Sequence, residues 1–273
     1  MCYTQGATPD LVMALRMLFS LPFYLSIAWL AYPAAAPNLN NKYFLQIAAF
    51  GVSGYYIASI LDVYGLLYLS ASMERIVLYT YPTMVFILSI IFLNARFNRN
   101  IALFIAIIYG GLLLVFLYHK APGHGLEMDA DVIHGGLLVL ASAFFYSVYL
   151  IGTEKITKVI PNRFFTALAM LSACVVMCAH IVLRVNFHEL LHQPQSIYIL
   201  CLLIAIFCTV IPSFMVSAGV QRIGATKAGA MGNIGPLVTL VLGITLLGES
   251  ISLLQLVGFA IVIGGVYCLS QQK

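Results

Sequence analysis

Long apolar stretches, each closed by a short polar, proline-rich or glycine-rich break, run the whole length of the chain. They lie near residues 11–32, 43–69, 73–93, 100–118, 132–152, 163–184, 196–220, 226–247 and 253–270. A bilayer core of about 30 Å is crossed by about 20 residues of α-helix, so the pattern predicts nine transmembrane helices. The breaks carry turn chemistry. Pro33, Pro37, Asn38, Asn40 and Asn41 close the first stretch, and Asn94, Arg96, Asn98 and Arg99 close the third. His119, Lys120, Ala121, Pro122 and Gly123 begin the longest connection, which ends with Glu127, Asp129 and Asp131.

Composition agrees with the pattern: 62% of the 273 residues are hydrophobic and 8% charged, and the mean hydropathy is +1.02. Soluble domains carry about 25% charged residues. A soluble globular domain, a disordered chain, a nucleic-acid binder and a disulfide-stapled module are all excluded. Five of the six cysteines (Cys174, Cys178, Cys201, Cys208 and Cys268) fall in apolar stretches. Without a CxxC pair or an adjacent histidine they read as small packing residues, and no metal site is expected. Residues 1–10 hold no basic region, so a cleaved signal peptide is not expected. Counted over alternate loops, one set holds Lys42, Arg96, Arg99, Lys155, Lys158, Arg163, Arg222, Lys227 and Lys273; the other holds Arg75, Lys120 and Arg184. The rich side is expected to be cytoplasmic, which puts the C-terminus inside and the acidic connection outside.

A shift of 154 residues lays the chain on itself without a gap from 65 to 111. Gly65 falls on Gly219, Ala71 on Ala225, Pro82 on Pro236, and Gly110-Gly111 on Gly264-Gly265. One residue of slippage extends the match to Ala14–Leu18 and Ala167–Leu171. By the charge count the matched helices run in opposite directions, which is an inverted repeat of the kind that lets two related halves rock about a midplane site. The division expected is a first repeat over 1–118, an outward-facing connection over 119–131 and a second repeat over 132–273. The second repeat holds five spans and the first four. The partner of 132–152 would precede Met1, so a first helix is expected to be missing, its place filled by an upstream extension or by a second copy of the chain.

The stretch Gly65-Leu66-Leu67-Tyr68-Leu69-Ser70-Ala71-Ser72-Met73-Glu74-Arg75, running on to Tyr81-Pro82-Thr83, resembles the EamA-type members of the drug/metabolite transporter superfamily. So do Gly219–Ala228, Pro236 and Leu247-Gly248-Glu249, and Ala14-Leu15-Arg16 is similar to that family's second helix. The resemblance implies an all-α polytopic fold of ten helices in two EamA repeats, here nine with the first lacking. It also implies cytoplasmic termini and export of small metabolites such as amino acids. The chain departs from the pattern at the position equivalent to Glu249, which is Ala95.

Ionisable groups inside a membrane are costly and are functional candidates. Asp62 lies in the second span, Arg16 in the first, and Glu74 and Arg75 open the third, all at similar depth. Asp62 is read as a proton or substrate-amine site, while Arg16, Glu74 and Arg75 form a charge network that could equally be structural. Pro82 and Pro236, a third of the way into their helices, are expected to kink them at the binding region. Tyr79 and its repeat mate Asn233 would offer two polar groups near the midplane, and Tyr146 and Tyr149 are candidate cavity walls. His180 reads as a packing residue. The cavity is expected between 43–69, 73–93, 132–152, 196–220 and 226–247.

Gly51-Val52-Ser53-Gly54 has the form of the serine loop of rhomboid-type intramembrane proteases, which would make Ser53 a nucleophile needing a histidine. An inverted repeat serves transport rather than proteolysis, and no HExxH, Walker or GxGxxG motif is present. A lipid flippase or scaffold of the same fold is the other alternative. The reading adopted is an exporter, not an enzyme, in a bacterial inner membrane. It works by alternating access with no cofactor, and its partners are a small-molecule substrate, the lipid bilayer and protons.

Overall fold

The computed structural model describes residues 9–69, 71–117, 130–184, 193–232, 235 and 253–271. All regular structure among them is helical. The helices are α1 (Pro9–Ala35), α2 (Asn41–Gly65), α3 (Ala71–Leu78), α4 (Tyr81–Phe92) and α5 (Arg99–Leu117). They continue as α6 (Ala130–Ile156), α7 (Asn162–Arg184), α8 (Gln195–Ile223), α9 (Ala225–Met231) and α10 (Leu253–Gln271). Leu11–Ala35, Asn41–Gly65, Ala130–Ile156, Asn162–His180 and Gln195–Ile223 are each long and apolar enough to cross a membrane. Tyr81–Phe92, Arg99–Gly111 and Leu256–Leu269 are shorter apolar helices. The chain is a multi-pass helical membrane protein. Much of the expected span 226–247, with Asn233, Pro236 and Glu249 and residues 119–129 of the connection, lies outside the described residues.

The asparagines of the breaks do what their side chains allow. Asn40 Oδ1 accepts from Tyr43 N at 2.8 Å and caps α2, and Asn98 Oδ1 accepts from Asn100 N at 2.9 Å at the start of α5. Asn94 follows α4 at φ 53°, a conformation asparagine tolerates. Pro33 does not close the first helix: it sits in the last turn of α1, which runs on to Ala35.

The stretch 73–93 is two helices, not one. Pro82 has no N–H and would clash in a continuing helix, so the ladder stops and α4 starts afresh with Pro82 in its first turn, where the missing donor costs nothing. The expected kink is therefore a break at Tyr79–Thr80. Tyr109 of α5 holds it: its hydroxyl donates to Thr80 O at 3.2 Å and lies 2.6 Å from Thr83 Oγ1. Two further irregularities are wide π-type turns, at Val52–Ile57 in α2 and Ile204–Val210 in α8. They fall at nearly matching places in the two halves. Likewise α5 and α10 are both 19 residues long and begin 154 apart, at Arg99 and Leu253, as α3 and α9 do at Ala71 and Ala225.

Matching helices pack on one another. Ser20 Oγ of α1 lies 4.0 Å from Cys174 Sγ of α7, one residue from its repeat mate Ala173. In α5 and α10, a Cβ on Gly111 would lie 2.8 Å from Gly258 O, and one on Gly265 would lie 2.8 Å from Ile108 Cγ1. Helix α2 is drawn in as closely. A Cβ on Gly51 would run into the Ala169 carbonyl of α7, one on Gly54 into Tyr149 of α6, and one on Gly152 would lie 2.6 Å from the Phe50 ring. Small residues at crossings let backbones meet where lipid and side chains are equally apolar and burial alone gives no drive. Gly51→Val should therefore destabilise the bundle by about 1–3 kcal/mol, read as a lowered midpoint of unfolding in sodium dodecyl sulfate from a mild detergent; an unchanged midpoint would show that α2 and α7 are not in backbone contact.

Candidate functional site

The interrupted segments carry the polar chemistry. Asp62 stands near the end of α2 and Glu74 and Arg75 on α3, and the two carboxyl groups are neighbours close enough to interact. Arg75 Nε lies 3.5 Å from Glu74 Oε2; Glu74 is buried and Arg75 half-exposed. Asp62 Oδ1 is buried with no hydrogen-bond partner. Tyr79, in the α3–α4 break, is a neighbour of Arg75, which joins the group to the break. Asp62, Glu74, Arg75 and Tyr79 thus come together. Arg16 stands near Tyr24 and Cys174 at the α1–α7 contact.

On the other side of the break lies a cluster of tyrosines. Tyr81 meets Tyr146 edge-on with ring centroids 5.3 Å apart, Tyr146 stacks with Tyr149 at 6.2 Å, and Tyr55 meets Tyr149 edge-on at 4.9 Å. Tyr149 is fully buried and its hydroxyl makes no hydrogen bond of good geometry, with Thr153, Ser217 and Tyr55 as its polar neighbours. Tyr146 and Tyr149 were legible as candidate walls. Tyr55 was missed, because it reaches Tyr149 only through the wide turn of α2; the signal that could have found it is the glycine-flanked Gly51–Gly54 run beside it. That same run accounts for the protease-like motif. Ser53 Oγ donates to Phe145 O at 3.2 Å, and His180 Nδ1 lies 2.8 Å from the Tyr56 hydroxyl. The serine and the imidazole are each engaged elsewhere, so the motif is explained by close helix packing.

At the end of the bundle where α6 stops, Glu154 Oε2 accepts from Ala225 N at 2.6 Å and caps α9. The turn before it needs Gly224, at φ +83°. Gln221 Nε2 donates to Thr157 O at 3.2 Å, and Ser217 bonds to Asn162. These contacts tie α6, α7, α8 and α9 together. Among the described residues no group of three or more histidine, cysteine or acidic side chains could hold a metal ion.

A bundle of close-packed apolar helices with paired irregularities, and a carboxyl pair beside a helix break, defines a polytopic helical membrane protein. The sequence matches the EamA-like transporter family twice, over residues 3–117 and 133–271, and the chain belongs to that family, in the drug/metabolite transporter superfamily. It is 30% identical over 271 residues to a Bacillus subtilis (strain 168) protein named uncharacterized transporter YcbK, covering 97% of this chain and 83% of that one. It is 22% identical over 211 residues to transporter YcxC of the same organism, covering 75% and 66%. A solved crystal structure shares the fold, with a TM-score of 0.78 at 16% identity, covering 97% of this chain and 88% of that one.

The charge group yields a direct test. Arg75→Met leaves the two carboxyls without their cation and should cost on the order of 1–2 kcal/mol, less than a fully buried pair because Arg75 is half-exposed. Adding Glu74→Gln should recover the loss in the same unfolding assay; if it does not, Arg75 acts through packing.

Proposed function

We propose that the protein exports a small metabolite, an amino acid or a related compound, across a bacterial inner membrane by alternating access of two inverted halves. The observation that carries the reading is the buried, unpartnered Asp62 Oδ1 beside the Glu74 carboxyl and the α3–α4 break. In low dielectric a carboxyl oxygen without a partner is suited to take an ammonium group or a proton. Two neighbouring carboxyls that hold one proton between them can exchange it for a cationic group without a change of net charge. The remaining binding groups are Tyr79, Tyr146 and Tyr149, with Asn233 as the repeat mate of Tyr79; Pro82 interrupts its helix, and Pro236 is its mate in the sequence of the second half.

Reciprocal contacts between repeat mates, with Gly111 against Val262 and its mate Gly265 against Ile108, are what a two-fold axis between the halves would produce. Such an axis lying in the membrane plane gives the two halves equivalent open states on the two faces. Transport is driven by the substrate gradient or by protons.

Two outcomes are expected. A reporter fused after Lys273 should show the cytoplasm and one inserted at Gly123–Gly125 the outside; an external C-terminus overturns the inverted arrangement. Asp62→Asn should abolish export while the protein reaches the membrane at its normal level. Loss of accumulation, restored by neutralising Arg75, would make Asp62 a structural counter-ion instead.

A further inference from the structure

We infer that Tyr79 and Tyr81, seated against Gly229, Gly232 and Gly235, form the movable seal between the two halves. The inference rests on the alternating-access reading and adds which contact opens. The Tyr81 hydroxyl donates to Gly229 O at 2.7 Å. A Cβ on Gly229 would lie 3.5 Å from the Tyr81 ring, one on Gly232 would overlap the Tyr81 hydroxyl, and one on Gly235 would lie 3.2 Å from the Tyr79 hydroxyl. The two rings fill space that any side chain on those glycines would need.

The 154-residue correspondence makes this contact one-sided. Tyr79 and Tyr81 match Asn233 and Gly235, so one half brings the plug and the other the socket. The plug sits on the break between α3 and α4, where a change in a few backbone torsions moves the rings without unwinding a helix. Tyr109 keeps the first turn of α4 whole, through Thr80 O and Thr83. On its far side Tyr81 touches Tyr146, and Ser147 Oγ donates to the Tyr81 carbonyl at 3.1 Å. The seal therefore closes the way between α9 and the tyrosine cluster. A single neutral hydrogen bond to a backbone carbonyl is weak enough to break in each cycle. A ring on bare glycine is tight enough to exclude water while it lasts. Val85, one turn beyond Tyr81, is fully buried, with its Cγ2 3.7 Å from a Cβ on Gly229, and so reports on closure.

The test replaces the six native cysteines by alanine, introduces Val85→Cys, and measures its rate of labelling by a membrane-impermeant methanethiosulfonate in vesicles of both orientations. This needs no substrate. Tyr81→Phe keeps the ring and removes the bond, and should raise the rate about fivefold, the factor one such bond is worth. Gly232→Ala puts a methyl where the hydroxyl sits and should raise it at least about tenfold. The two together should return the rate to that of Tyr81→Phe, because the methyl then occupies the place the hydroxyl has left. Unchanged labelling in both single variants, or no return in the pair, overturns the seal. If Gly232→Ala fails to accumulate, Tyr81→Phe decides alone, and an unchanged rate overturns it. Export by Asp62→Asn reads the transport proposal separately, so either can fail without the other.

Discussion

In hydrocarbon a backbone N–H or C=O has no water to turn to, so each irregularity in a membrane helix needs a partner from elsewhere in the protein. That requirement organises this molecule. Among the described residues, neighbouring helices answer three of the chain's departures from regular helix. Tyr109 takes the Thr80 carbonyl at the α3–α4 break, and Ser142 donates to Ala58 O at 2.7 Å below the wide turn of α2. Glu154 takes the first N–H of α9. Helix α6 thus supplies partners to both halves, with Ser142 toward α2, Ser147 toward α4 and Glu154 toward α9.

Close approach is the second consequence. Hydrogen bonds from short side chains such as serine and threonine reach a neighbouring backbone only if the helices are nearly in contact. Glycines at the crossings make this geometry available. Gly54 allows Tyr149 to lie against α2, and the same wide turn delivers Tyr55 to the Tyr149 ring. The glycines that bring the helices together and the tyrosines that fill the space between them are parts of one arrangement. A motif such as Gly51–Gly54 can then imitate a catalytic loop while serving only to bring backbones together.

The carboxyl group shows how a helix break becomes chemistry. Because α2 ends at Gly65 and α3 starts at Ala71, the chain returns on itself and presents Asp62 to Glu74. Tyr79, just past the end of α3, neighbours Arg75 of the same group, while Tyr81, two residues on, faces Tyr146. Two residues of irregular backbone thus divide a charged cluster from an aromatic one.

The sequence by itself determined the all-helical membrane class, most span positions, the 154-residue correspondence and the family, because these depend on apolar run length and on the prolines and glycines that interrupt it. It also put Asp62, Arg16, Glu74 and Arg75 at similar depth, since positions can be counted from the helix ends. It led to a kink at Pro82 where the helix breaks, because that turns on how a neighbour, here Tyr109, holds the turn at Thr80 and Thr83. Nor did it show that Asp62 pairs with Glu74 while Arg16 lies by Tyr24, that Tyr55 belongs with Tyr149, or that Glu154 caps α9. Depth along a helix can be counted from the sequence, but the direction a side chain faces is set by how the helices cross, and only the tertiary structure fixes that.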